Sequence, residues 1–180
     1  SCVRLCICGG DHVSADLFAR FHDVTGIELT EQCGMTETGM YAVNPPYGRK
    51  KSGSIGLPYY GIQLSIIDDR GCDVRWGEPG EIAVKSPFAM DGYWNDTAAT
   101  RRVMRDGWIR TGDIGRIDDD GYIWLDGRQK DIIIHRGSNI SPAAVEAVLQ
   151  KHTTVSQACV IGVDDAETGQ VVYAFVTLNA

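Results

Sequence analysis

Between residues 62 and 125 the chain repeatedly alternates apolar and polar residues in short runs, parted by turns rich in aspartate and glycine. "IQLSII" (62–67) is followed by "DDRG" (68–71), and "EIAVK" (81–85) alternates again. "WIR" (108–110) and "IGRI" (114–117) then precede "DDDG" (118–121) and "YIWL" (122–125). A period of two marks strands with one face buried, and Asp and Gly supply the side-chain bonds and backbone freedom of tight turns. The pattern predicts a small antiparallel sheet or barrel from about residue 53, closing on a hairpin turned at 118–121. A short helix over 97–104, capped by Asn95 or Asp96, interrupts it.

The segment before this sheet has a different rhythm. A strand at 4–8 leads through Gly9-Gly10 to a helix that Ser14 caps and on which Leu17, Phe18, Phe21 and Val24 share a face. Gly26 stops the helix and a second strand begins at 27–29, which is an α/β arrangement. After the sheet come a strand at 131–135, a turn at 136–139 and a helix opening at Pro142 with Ser141 as cap, its apolar face formed by Val145, Val148 and Leu149. Two further strands are expected near 155–163 and 171–178. The fold class is therefore α/β and β-rich: an α/β part with a small antiparallel sheet or barrel, then the start of a small α+β domain. The boundary is expected at residues 126/127.

A net charge of −7 argues against a nucleic-acid backbone or an anionic membrane as main partner. No apolar run is long enough to span a membrane, and "SCVRLC" is not a signal peptide. Cysteines at 2, 6, 8, 33, 72 and 159 form no CxxC pair; they read as buried, reduced thiols of a cytoplasmic protein, with Cys6 and Cys8 on one strand face.

Two stretches carry residues fit for chemistry. In "TEQCGMTETG" (30–39), Gly34 lets the backbone approach a ligand, Thr36 offers a hydroxyl to a phosphate oxygen, and Glu37 is a hard oxygen ligand suited to magnesium. The same residues suit a polar turn in which Thr36 or Thr38 caps a helix, and residue types alone leave both open. In "RTGD" (110–113) and "GRQKD" (127–131), Asp113 is able to accept hydrogen bonds from two sugar hydroxyls and Arg128 presents a fork of donors. Both stand at the ends of one hairpin, which would bring them together. The plain alternative is a salt bridge across that hairpin, worth little to stability.

The order and spacing of these stretches resemble the adenylate-forming superfamily, which contains acyl-CoA synthetases, luciferase-like enzymes and the adenylation domains of peptide synthetases. "CICGGDHVSADLFARF" is similar to its GGAPLS segment and helix, "EQCGMTETG" to YGMTE, and "GSIGLPYYGIQLSIID" to GSVGxPxPG. "GEPGEIAVKSPFAMDGYWND" with "DGWIRTGDIG" resembles the stretch ending in RTGD, and "GRQKDIIIHRGSNISPAAVE" the hinge motif GRxKDxIxxxGxNIxPxEIE. The resemblance implies that Asp113 holds the ribose of ATP, Arg128 the ribose or phosphate, Thr36 the α-phosphate, and Glu37 magnesium. Gly10, Asp11, His12, Glu31, Gln32, Cys33, Gly34 and Met35 would line the adenine and acyl pocket. Lys130 would be the hinge, and Arg136 and Gly137 would lie where coenzyme A enters.

The implied activity is that of an acid–thiol ligase: a small carboxylic acid, ATP and coenzyme A as partners, magnesium as cofactor, acyl-AMP as intermediate, and a homodimer as the candidate assembly. The rival readings are an adenylation domain that loads a carrier protein, a non-catalytic nucleotide-binding piece, and a structural β-rich scaffold. Cys33 departs from an aromatic that stacks on adenine, a contact worth about 1–3 kcal/mol. Asp11-His12 replaces Ala-Pro, and Ala144 removes the capping-box glutamate from the helix after Ser141. Neither the family's phosphate loop nor its C-terminal catalytic lysine has a counterpart here, so the resemblance implies the middle-to-late part of a longer enzyme.

Overall fold

The computed structural model describes residues 2–10, 13 and 15–179; Asp11, His12 and the cap expected at Ser14 lie outside the described residues. The chain divides into two compact units, Ser1–Thr111 with Gly115–Leu125, and Gly112–Ile114 with Asp126–Ala180.

The first unit opens with β1 (Cys6–Cys8), α1 (Ala15–Thr25) and β2 (Leu29–Met35), and β1 runs parallel to β2 with Cys6 opposite Leu29 and Cys8 opposite Glu31. α1 ends where expected: Gly26, at φ +69°, closes the helix with its N–H on the His22 carbonyl. Its apolar face is less covered than the pattern predicts, since Leu17 and Val24 are exposed.

β2 continues well past the expected strand. The polar run 30–35 is strand, residues 36–38 turn, and the chain returns antiparallel as β3 (Gly39–Val43), with β4 (Leu57–Pro58) beside it. No helix follows Thr36 or Thr38, so neither is a cap. β2 lies between β1 and β3, and ladder bonds on both sides override the polar character of its sequence. Gly34 also has a different purpose from the one its sequence position suggests. At this bulge a Cβ would stand 2.8 Å from the Gly39 carbonyl oxygen and 2.9 Å from the Met40 Cα, so the close approach is to the chain's own returning strand.

The second sheet holds β5 (Gln63–Ile67), β6 (Gly80–Lys85), β7 (Met104–Arg105), β8 (Trp108–Ile117) and β9 (Ile123–Arg128), in the order β5-β6-β8-β7 with β9 also on β8. The alternation works as read: Ile66 and Ile82 are opposite one another and buried, with Tyr41, Ala42, Ile55, Ile62, Val84 and Ile123 in the same core. α2 (Thr97–Val103) takes Asp96 as its cap, whose side chain accepts the Ala99 N–H at 2.7 Å. One expectation fails. The runs at 108–110 and 114–117 are one strand, so Arg110-Thr111-Gly112-Asp113 lies in the middle of β8 and not at a turn.

The second unit contains a 3-10 turn (Gln129–Asp131), β10 (Ile133–His135), β11 (Ser138–Ile140), α3 (Pro142–Leu149), β12 (Val155–Asp165) and β13 (Gly169–Leu178). Its sheet runs β11-β10-β13-β12, antiparallel throughout. Arg136 and Gly137, both at positive φ, make the two-residue tip between His135 and Ser138 that a right-twisted hairpin favours. Ser141 caps α3 by accepting the Ala144 N–H, with Pro142 in the first turn. The Glu146 carboxylate accepts the Val160 N–H of β12 at 2.7 Å. Val148, expected on the apolar face of α3, is exposed. The cysteines are free, as expected, but none is fully buried: Cys2, Cys72 and Cys159 are exposed, and Cys6, Cys8 and Cys33 half-buried.

Asp118 closes the β8–β9 turn. Its carboxylate accepts Lys51 Nζ at 2.6 Å, Trp124 Nε1 at 2.9 Å, and the backbone N–H groups of Asp120 and Tyr122 at 3.0 Å each. Burial alone would raise this carboxyl; the donors from Lys51, Trp124, Tyr122 and Asp120 outweigh it and hold the group well below the usual carboxylate range. Asp118→Ala should therefore lower unfolding stability by at least ~2 kcal/mol in a denaturant titration, since it leaves several donors unpaired. A loss within experimental error would show that the turn holds without it.

Candidate active site

Within the first unit, the expected ligand residues gather around the β2–β3 turn. Thr36 is exposed and Glu37 half-buried, while Thr38 is buried and turns its hydroxyl to the Gly39 carbonyl. Glu37 is held twice. Its backbone carbonyl accepts the Met90 N–H at 2.8 Å, and its Oε1 accepts the Tyr93 hydroxyl at 2.8 Å. That bond to Glu37 raises the Tyr93 phenol above its ordinary value. Sequence reasoning missed Tyr93, whose only signal was an aromatic in "GYWND". Among the described residues no three His, Cys, Asp or Glu side chains stand close enough to hold a metal. A single carboxylate with one oxygen held and, among the described residues, no partner on the other fits a magnesium ion that takes most of its ligands from phosphate and water.

Gly10 follows β1 at φ +99° and is exposed. Beside it, Cys8 faces Glu31 across the parallel β1–β2 pair. Glu31 is 8% exposed, and its Oε2 has no hydrogen-bond partner among the described residues. Burial pushes this carboxyl up to about 7, and burial together with Glu31 raises the Cys8 thiol. Gln32 and Met35 are half-buried. Cys33 does not stand out as a platform: it packs on the core, and its thiol donates to the Tyr41 hydroxyl at 3.0 Å.

In the second unit, Asp113 and Arg128 meet, with Arg128 Nε 3.1 Å from Asp113 Oδ1. The carboxylate side chain is 14% exposed and the guanidinium 56%. Gly112, at φ +74° inside β8, bends the backbone just before Asp113, a conformation that L-residues avoid. Lys130 is exposed on the 3-10 turn, and Arg136 and Gly137 are exposed at the β10–β11 tip.

A profile of AMP-binding enzymes matches residues 1–94, and one of the AMP-binding enzyme C-terminal domain matches 144–180. The chain belongs to the AMP-binding enzyme family. It is 39% identical to a long-chain-fatty-acid–CoA ligase of Yersinia pestis over 180 residues, covering 99% of this chain and 32% of that protein. It superposes on ATP-bound MatB from Rhodopseudomonas palustris with a TM-score of 0.93 at 35% identity, over 98% of this chain and 35% of that one. With MenE from Bacillus subtilis, solved with its acyl-adenylate intermediate OSB-AMP, the TM-score is 0.89 at 34% identity, over 99% and 37%. The chain thus spans about a third of the length of the proteins it resembles. No described helix is long and apolar enough to cross a membrane.

The raised carboxyl of Glu31 makes stability depend on pH. Its folded value, about 7, lies above the ordinary 4.5, so the folded state holds the proton more tightly. Its contribution is complete below the ordinary value and is lost as pH rises through the folded one. At about 1.4 kcal/mol per pH unit, the loss amounts to a few kcal/mol at most. Thermal melts should show the native protein losing stability from pH 5 to pH 8 relative to Glu31→Gln. Parallel curves for the two would mean that Glu31 is ionised in the fold.

Proposed function

We propose that the protein carrying this chain is an AMP-forming acid–CoA ligase. It joins a carboxylic acid to AMP at the expense of ATP and transfers the acyl group to the thiol of coenzyme A. The reading is carried by the likeness, over almost the whole chain, to a fatty-acid–CoA ligase and to an ATP-bound enzyme, at 39% and 35% identity.

In this reading a carboxylate oxygen of the substrate attacks the α-phosphorus, and the bond from that phosphorus to pyrophosphate breaks. Asp113 accepts the ribose hydroxyls while Arg128 fixes the carboxylate that does so. Thr36 donates to an α-phosphate oxygen, and Glu37 is the carboxylate for magnesium, which when bound supplies positive charge to the phosphate oxygens. The protein's contribution is mainly positioning and charge stabilisation. In the second step the coenzyme A thiolate attacks the acyl carbonyl and AMP leaves. Residues 1–126 would belong to the large adenylating domain and 127–180 to the hinge and small domain. Lys130 would be the pivot and Arg136-Gly137 would lie on the coenzyme A path. Gly10, Asp11, His12, Glu31, Gln32, Cys33, Gly34 and Met35 are the proposed lining of the adenine and acyl pocket. The free thiols fit a reducing, cytoplasmic setting.

Carboxylate-dependent ATP–pyrophosphate exchange by the whole protein, over fatty, aryl and amino acids, tests adenylation and names the acid class. Supplying coenzyme A or a carrier protein to the adenylate then decides the acceptor. Asp113→Ala should lower kcat/KM for ATP on the order of 100-fold, the loss of two charge-assisted hydrogen bonds. 2′-Deoxy-ATP should be a poor substrate of the native protein, with that discrimination absent from the variant. Exchange that is indifferent to Asp113 would remove it from the nucleotide site, and no exchange with any acid would sink the ligase reading.

A further inference from the structure

Glu37 sits on a three-residue turn, where a long side chain would ordinarily sample many rotamers. Here it does not stand alone. Its two tethers, the Met90 N–H on its carbonyl and the Tyr93 hydroxyl on Oε1, both come from the stretch that follows β6. That stretch is itself fastened. The Phe88 N–H donates to Ser86 Oγ at 3.0 Å, and Phe88 packs where a Cβ on Gly39 would stand, 3.2 Å away. The Tyr93 N–H donates at 2.9 Å to Thr100 Oγ1 in α2, whose own hydroxyl is spent on the Asp96 carbonyl at 2.9 Å. Gly92 lies against Thr100 so closely that a Cβ would meet its Cγ2 at 3.0 Å. The phenol is thus held by α2 at its backbone end and by Glu37 at its hydroxyl end.

A carboxylate that binds a cation through one oxygen needs the other oxygen fixed, and groups that orient a metal ligand commonly govern the affinity. We propose that Tyr93 is a positioning residue for the metal carboxylate, its hydroxyl holding Glu37 Oε1 so that Oε2 faces a nucleotide-borne divalent cation. A neutral donor suits this task because it orders the carboxylate without offsetting its charge. The inference rests on the reading of Glu37 as the magnesium ligand.

The whole protein is compared with Tyr93→Phe, Glu37→Gln and the double variant. The probe is Mn2+ with a non-hydrolysable ATP analogue, followed by electron paramagnetic resonance, alongside the Mg2+ dependence of ATP–pyrophosphate exchange and a thermal melt. Tyr93→Phe, which keeps the ring, should weaken Mn2+–nucleotide binding about 10-fold and raise the half-saturating Mg2+ concentration by a similar factor. KM for the carboxylic acid should stay the same, and in the Glu37→Gln background the Tyr93 change should add nothing. Weakened metal binding in Glu37→Gln with none in Tyr93→Phe overturns this inference and spares the reading of Glu37. Unchanged metal binding in Glu37→Gln overturns both. Losses that multiply in the double variant, or a melt that falls together with a rise in KM for the acid, assign Tyr93 a merely structural role.

Discussion

The register of the β8–β9 hairpin depends on one carboxylate. Asp118 closes the turn with its own N–H on the Tyr122 carbonyl, while its side chain gathers Lys51, Trp124 and two backbone donors. Once a hairpin is closed at its turn, every residue behind it has a fixed opposite, because a slip by one would reverse both faces. Ile123, fully buried, and Ile117, packed against the same core, reach that core only in this register. Arg128 and Asp113, on the far stretches of the two strands, meet at 3.1 Å for the same reason. A turn that in the sequence looks like four interchangeable polar residues therefore governs where two candidate ligand residues lie.

What could be read in advance was whatever is local. Alternation over 62–67 and 81–85 became β5 and β6 because each strand buries one face. Asp96 and Ser141 cap α2 and α3, because a cap bonds only a few residues ahead. The failures were non-local. Residues 30–35 carry no alternation, and become strand through pairing on both edges with β1 and β3. The β8 run was split at Gly112, whose positive φ the strand absorbs without breaking. Val24 and Val148 obey helical periodicity and are exposed all the same, because periodicity states which residues share a face and not what covers that face. Tyr93 is separated from Glu37 by 56 positions, and nothing in either neighbourhood announces the other.

The candidate residues show the same division. Motif spacing singles out Asp113, Arg128 and Glu37 as candidates, and the family profiles match residues 1–94 and 144–180. Spacing did not reveal how each carboxyl is conditioned, which depends on neighbours brought by the fold. Glu31 is buried and its Oε2 has no donor among the described residues, so the proton is its compensation, and its value moves up to about 7. Asp113 is nearly as enclosed but has the Arg128 guanidinium at 3.1 Å. Glu37 has, among the described residues, the Tyr93 phenol on Oε1.

Two of these environments, those of Asp113 and Glu37, suit two different tasks in the proposed ligase. A carboxylate with a guanidinium on one oxygen is close to neutral as a pair, so it attracts cations weakly while remaining a good acceptor for sugar hydroxyls. Such a pair is suited to a ribose and poorly suited to a magnesium ion. A carboxylate ordered by a phenol keeps its charge and loses its freedom, which favours a cation brought by phosphate. Exchanging the partners would invert the roles: an arginine on Glu37 would repel the metal, and a tyrosine on Asp113 would leave an uncompensated charge in a largely buried place. The choice of donor beside each carboxylate, more than the carboxylates themselves, separates the proposed sugar-binding position from the proposed metal-binding one.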